Sequence, residues 1–520
     1  MRNKLLLVGF VIVAFSLGAC KKYLDINTNP NSSTSSTPDL VLPQAIVYTG
    51  AMANYLNTYG MQVGGYGANA GGYGGYAANW TYNFTTDYYT SIWSGTYDLL
   101  EDLQYVITST EGSDNYAYYN AAAKILKVYN YQHLVDQYND IPFTEALSST
   151  NITPSYDEGT AIYPQLADIL DSAIDVIENA VYPTSLTSST DPLFAGDMTS
   201  WIQFANTIKL RLIIRASSAV TFSNTTFTDD GFLTDDAIEN PGYEQSSGKA
   251  NPGFSSWVFA YDGSNGSRSW IPSKYIYGYY DGNKLTDAAR GAAIYYDFPS
   301  TPVNQLGITT DVESAPTVGA WYSGDGTSGS TVGDAIGVMK GFDMGVPLML
   351  AAESYFLQAE ADVRGILSGD AQTDFESGIT ESFHYLYKLS DGTVASGYDY
   401  TTDAETYISD NSTSYLANFS LATSTEEQIE AIITQKYIAL NMTNCDEGWN
   451  EYRRTGYPAS GTTAVNNPYG SFASTQSEST RSDHLPTRIL YPSSEYSYNG
   501  DKVPSASSIS PFTSLIFWAQ

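Results

Sequence analysis

Apolar side chains recur at helical spacing along much of the chain. Tyr163, Leu166, Leu170, Ala173 and Ile177 alternate steps of three and four, and Ile169 and Ile174 widen the stripe, which predicts a helix with one buried face. Asp197 stands, in the manner of an N-cap, before a second run in which Trp201, Phe204, Ile208 and Leu212 share a face. Ile429, Ile432, Ile433, Tyr437 and Leu440 mark a third helix. Further helices are predicted near residues 40–59, 88–108, 116–138, 348–367 and 374–389. Strand-like alternation is short and scattered. The pattern predicts a mostly α fold of paired helices broken by long irregular excursions.

Three such excursions interrupt the periodicity, at residues 60–80, about 220–345 and 456–486. The first, GMQVGGYGANAGGYGGYAANW, is Gly/Tyr low complexity. The second is rich in Gly, Ser, Asp and aromatics, and the third in Ser and Thr. Stretches of this length inside a compact protein are usually functional or disordered, and binding sites concentrate on loops.

The N-terminus reads as a targeting segment. Arg2 and Lys4 precede an eleven-residue apolar run from Leu5 to Phe15, too short to span a bilayer, and Leu17-Gly18-Ala19-Cys20 closes it. That ending looks like a bacterial lipobox, which implies cleavage before Cys20 and acylation of its thiol and new amino group. The alternative is an ordinary signal peptide in which Cys20 is incidental. Residues 21–40, rich in Asn, Ser, Thr and Pro, read as a tether. No later stretch reaches membrane-spanning length, so the lipid would be the anchor. Cys445 is the other cysteine and is expected to be a structural free thiol.

Charge narrows the partners. The chain holds 23 Lys+Arg against 56 Asp+Glu, a net charge of −33, which repels phosphate backbones and excludes nucleic acid. Aromatics reach 14%, with 44 Tyr, so the surface as well as the core carries rings and favours stacking ligands.

The usual catalytic patterns are missing. His133, His384 and His484 are far apart in the chain and no His-Glu-x-x-His occurs, so neither a zinc site nor any cofactor is expected. His133 reads as a packed, hydrogen-bonded residue beside Tyr129 and Ile125. Lys249 lacks a phosphate loop, the glycines at 324–329 lack a preceding strand, and no Gly-x-Ser-x-Gly elbow is present. Glycoside hydrolysis needs only two carboxylates and stays open as the leading enzymatic alternative. Glu353 and Glu360 would lie about 10 Å apart along one helix, wide for such a pair, and interhelical salt bridges suit them better.

Several segments together resemble one family, the SusD/RagB outer-membrane lipoproteins of Bacteroidota. They are CKKYLDINTNPN from Cys20, DIPFTEAL at 140–147, YDEGTAIYPQLADILDSAIDVIENA at 156–180 and GDMTSWIQFANTIKLRLIIRAS at 196–217. AAESYFLQAEADVRG at 351–365, ITQKYIALNMTNCDEGWNEYRRTGYP at 433–458 and LPTRILYPSSEYSYNG at 485–500 follow in the same order. The RRTGYP and RILYP segments resemble one branch of the family. The resemblance implies a leader at 1–19, a tether at 20–39 and one body at 40–520. In that body, tetratricopeptide-like helix pairs occupy mainly 40–220 and 346–455, and an irregular lobe mainly 221–345 and 456–520. It further implies a non-enzymatic lipoprotein on the cell exterior that delivers oligosaccharide, or alternatively peptide, to a SusC-like TonB-dependent outer-membrane transporter. Trp201, Trp449, Arg453 and Arg454 are expected to be packing residues. Lys21 and Lys22, rather than acidic residues, follow Cys20, a departure that leaves outer-leaflet display open.

Pyranose rings stack their C–H faces on Trp and Tyr while amides and charged groups take the hydroxyls. Tyr73, Tyr76 and Trp80, near Tyr66 in the glycine-rich excursion, are the first candidate contacts, because glycine lets the backbone turn tightly between rings. The same stretch also suits a flexible loop packed on the body or on a partner. Trp257, Trp270 and Trp321, interspersed with Asp262, Asn265 and Arg268, are candidates in the second excursion.

Overall fold

The computed structural model describes residues 36–310, 312, 321–322, 335–461 and 466–520; Cys20, the leader and most of the tether lie outside them. Ten helices of eleven residues or more are present among the described residues. They are α1 (Pro38–Val63), α2 (Thr90–Thr110), α3 (Ala117–Tyr138), α4 (Gly159–Glu178), α5 (Met198–Ala216), α6 (Ala351–Val363), α7 (Ala371–Tyr387), α8 (Tyr400–Asp410), α9 (Thr425–Ala439) and α10 (Cys445–Thr455). From α1 to α8 each helix packs on the next, α9 lies against α6 and α7, and α10 lies against α1 and α9. Four short strands form two antiparallel pairs: β1 (Gly67–Asn69) with β3 (Trp270–Pro272), and β2 (Ala237–Glu239) with β4 (Val346–Met349).

Local sequence accounts for most of these elements. The α4 stripe is buried as the periodicity requires, from Ile162 to Ile177. Asp197 caps α5 by accepting the Thr199 N–H at 3.0 Å, and Ser424 with Glu427 closes a capping box on α9. Two helices carry no apolar signature. In α8 only Ala404 and Tyr407 are buried, and α10 reads Cys-Asp-Glu-Gly-Trp-Asn-Glu-Tyr-Arg-Arg-Thr yet buries every residue from Cys445 to Arg454.

Burying α10 brings five charges into the core, and four of them, Glu447, Glu451, Arg453 and Arg454, bond groups on other helices. Arg211 Nη1 on α5 lies 3.2 Å from Glu353 on α6 and 3.5 Å from Glu447 on α10, while its Nε and Nη2 donate to Gln132 on α3. One turn on, Arg215 binds Asp136 on α3 at 2.5 Å, Glu447, and Glu451 at 3.4 Å. Lys436 on α9 sits between Glu451 at 3.0 Å and Glu353 at 3.4 Å, and Arg454 grips Glu360 with two bonds of 2.7 Å. Glu353 and Glu360 are thus interhelical ion-pair partners, as their spacing suggested. Burial alone would raise the Glu447 carboxyl, but Arg211 and Arg215 outweigh it and hold it well below the usual carboxylate range. Trp518 closes the cluster, its indole N–H donating to Asp136 at 3.0 Å.

Removing one member strands its partners in a dry interior. Arg215→Met is expected to cost about 3–5 kcal/mol of unfolding free energy, read from urea denaturation. A cost under about 1 kcal/mol would mean that the interior admits water.

A second buried acid behaves differently. Glu239 on β2 is fully buried, receives one bond from the Tyr243 hydroxyl at 2.7 Å, and among the described residues has no cation beside it, so burial pushes its carboxyl up to about 8. The unfolded chain loses that proton near 4.5 and the folded chain near 8, so the contribution of Glu239 to stability is whole below 4.5 and is lost as pH rises through about 8. Glu239→Gln is expected to flatten this part of the stability–pH curve between pH 5 and 9, measured by melting temperature, and an unchanged slope would refute the assignment.

Candidate functional site

The candidate site grows from the end of α1. Gly64 follows that helix, and β1 then pairs with β3 in the register Gly67↔Pro272, Ala68↔Ile271, Asn69↔Trp270, joining the first excursion to the second. Past β1, Gly72 and Gly75 take positive φ values of 82° and 93° with open space around them, conformations that a side chain would strain. Tyr73 sits between them and is 44% exposed.

The chain then re-enters the body. Tyr76 is buried with its hydroxyl on the Ser269 carbonyl, and Trp80, on the short helix Ala77–Thr81, stacks on it at 5.5 Å and 23°. Trp270 meets Tyr76 edge-on at 5.4 Å. Trp80 stays half-buried and donates its indole N–H to Asn69 Oδ1 at 3.1 Å.

Asn69 is the hub. Its Oδ1 also accepts the Gly307 N–H at 3.0 Å, its Nδ2 donates to the Ile308 carbonyl at 2.8 Å, and its own carbonyl accepts from Asn304 at 2.9 Å. The third excursion joins where the Glu478 N–H donates to the Thr81 carbonyl and Asn83 donates to the Glu478 carboxylate, both at 2.9 Å. All three excursions therefore meet around Trp80, with the amides of Asn79 and Asn83 on the same short segment and Asn83 exposed.

The six ring candidates do not form one surface. Tyr76, Trp80 and Trp270 come together, and Tyr73 projects from the adjoining loop. Trp257, Trp270 and Trp321 are only 5%, 7% and 1% exposed, so their faces pack against the protein. Trp257 lies edge-on to Tyr322 at 6.0 Å, and the Trp321 indole donates to the Arg268 carbonyl at 3.1 Å. Asp262 and Asn265 are exposed, but Asp262 accepts from Ser264 in its own turn and Asn265 accepts from Arg268. Sequence reading missed Asn69, Asn304 and Glu478. Asn69 alone left a signal, as the polar residue in a Gly-Ala-Asn stretch that forms a strand.

A cavity of about 540 Å³ lies elsewhere, between α2, α3 and α4, bordered by Gln104, Glu111, Lys124 and Asp175 and lined by no aromatic ring. It offers no stacking surface.

The chain matches two family models, "Starch-binding associating with outer membrane" over residues 30–229 and "Susd and RagB outer membrane lipoprotein" over residues 336–510. No curated protein matches it. Among solved structures it resembles a SusD homolog from Bacteroides fragilis, at 21% identity and TM-score 0.65 over 93% of this chain and 99% of that one. A susd/ragb family protein from Bacteroides thetaiotaomicron gives 18% identity and TM-score 0.67, covering 93% and 99%. A chitin-binding SusD homolog from Flavobacterium johnsoniae gives 22% identity and TM-score 0.67, covering 92% and 98%. At these identities the structures speak for the fold.

Asn69→Ala leaves the Trp80 indole and the Gly307 N–H unpaired and is expected to cost about 1–3 kcal/mol in urea denaturation. Trp270→Ala and Trp321→Ala, as core truncations, are expected to cost about 3–5 kcal/mol each. A Trp321→Ala protein of normal stability would remove that ring from the core.

Proposed function

The chain belongs to the SusD/RagB family of outer-membrane lipoproteins, and on that premise we propose that it captures oligosaccharide at the cell surface without hydrolysing it. It then hands the sugar to a SusC-like, TonB-dependent outer-membrane transporter, which supplies the energy for import. In this reading Cys20 carries the lipid, residues 20–39 form the tether, and the body at 40–520 divides into helical repeats (40–220 and 346–455) and an irregular lobe (221–345 and 456–520). The described residues contain no helix long and apolar enough to cross a membrane, which agrees with a lipid anchor.

One observation carries the ligand assignment: an aromatic ledge, Trp80 stacked on Tyr76, stands where three loops meet, beside exposed Tyr73 and the Asn79 and Asn83 amides. Trp80 is the half-exposed ring of the cluster and the natural face for a pyranose. Tyr73, between two glycines, can close over the same sugar. Trp270 backs the ledge edge-on, while Trp257 and Trp321 belong to the core of the second excursion.

Binding of a glycan panel and a peptide panel, followed by thermal shift and calorimetry, tests the cargo class. Trp80→Ala is expected to weaken glycan binding by about 5- to 150-fold, the equivalent of ~1–3 kcal/mol if the contact resembles base–aromatic stacking, with melting temperature little changed. Unaltered glycan affinity in Trp80→Ala would move the site elsewhere, and binding confined to peptides would replace the cargo. Co-purification from mild detergent tests the transporter, and loss of acylation in Cys20→Ser tests the anchor.

A further inference from the structure

His133 on α3 faces the first turn of α10, with Nδ1 3.3 Å from Asp446 Oδ2 and 3.9 Å from Glu447 Oε1. The three donor atoms lie within 4.8 Å of one another, and the residues are 4%, 3% and 0% exposed. Among the described residues none of these atoms has a hydrogen-bond partner, and neither does His133 Nε2, so the expected hydrogen-bonded histidine is packed without one. Buried polar atoms without hydrogen bonds are costly, and three gathered within 4.8 Å need an explanation. The rest of the network sharpens the anomaly. Asp136, Glu353, Glu360, Glu447 and Glu451 each have an Arg or Lys within ion-pair distance, whereas Asp446, among the described residues, has only His133.

We propose that His133, Asp446 and Glu447 form a buried site for one divalent cation of intermediate softness, with Zn²⁺ the best fit. One imidazole nitrogen and two carboxylate oxygens suit zinc, whereas calcium and magnesium favour all-oxygen sets. Ligand atoms about 2.1 Å from a tetrahedral centre stand about 3.4 Å apart, close to the separations from Nδ1 found here. Glu447 divides its carboxylate accordingly, giving Oε2 to Arg215 and leaving Oε1 for the ion. Arg211, 3.5 Å from Oε1, and the positive end of α10 oppose a cation, so binding depends on all three ligands acting together. Short-range patterns do not reveal such a site, because His133 and Asp446 are far apart in the chain.

The test uses the full chain. Protein purified without added metal, and again after incubation with Zn²⁺ and desalting, is assayed by elemental analysis and thermal melting. One Zn²⁺ per chain is expected, with a melting temperature that falls on chelation and recovers with Zn²⁺. Asp446→Asn keeps the shape and is expected to weaken retention by about tenfold or more, and His133→Gln likewise, with folding checked by circular dichroism. Wild-type protein that retains no metal and shows no thermal response to Zn²⁺ overturns the proposal and leaves a bare His133–Asp446 pair. Equal retention by a folded Asp446→Asn variant overturns it as well, by locating the metal elsewhere.

Discussion

Arg211 and Arg215 enter the interior one turn apart on α5, and a buried guanidinium cannot be left without acceptors. That requirement decides what surrounds them. Asp136 on α3, Glu353 on α6, and Glu447 and Glu451 on α10 must converge at one depth, and Lys436 on α9 then balances the carboxylates that the arginines do not saturate. A well-packed apolar core of the same volume would be about as stable. The charged one differs in favouring one register, because a slip of α5 by one turn would carry one arginine into the other's place and leave the second without its carboxylates.

The aromatic ledge inherits its position from this network. Ionic partners fix α10, and α10 fixes α1 through close backbone contact: a Cβ on Gly60 would fall 2.0 Å from the Asp446 nitrogen. Asn57 secures the same joint, donating to the Met442 carbonyl and accepting the Cys445 N–H, each at 3.0 Å. β1 follows α1 within a few residues, so Asn69 is placed by α10, and Trp80 is placed by Asn69. Loops otherwise short of ladder hydrogen bonds thereby acquire a fixed origin, and Tyr73 lies in the exposed stretch just beyond it.

How much of this the sequence disclosed follows from which distances decide each feature. The stripe of α4 and the cap of α5 depend on residues a few positions apart, so periodicity finds them. The length and order of α10 escaped because its burial is stabilised by Glu353, Glu360 and Arg215, none of them a chain neighbour. The tryptophans of the second excursion were read as possible contacts because their sequence surroundings are polar. Trp257, Trp270 and Trp321 are nevertheless buried, since an excursion that folds back on the body needs a core of its own, and large rings supply most of one. Periodicity cannot tell a ring on such an inner surface from one on the outer surface. Trp80 and Tyr73 are distinguished by accessibility, which only the tertiary structure defines.

The same network changes how the net charge of −33 should be read. Among the described residues ten basic and ten acidic side chains are buried, although acids outnumber bases 56 to 23 in the chain, so the interior takes a far larger share of the cations than of the acids. The surface is accordingly more one-signed than the composition suggests. An anionic ligand approaching the ledge meets a repulsive field with few lysines or arginines to offset it. The groups around Trp80 match that field: ring faces, carboxamides and backbone carbonyls, all of which recognise neutral hydroxyls and tolerate basic groups. Charge held in the core to orient helices is charge withheld from the surface, and the chemistry left outside is that of stacking and amide hydrogen bonds.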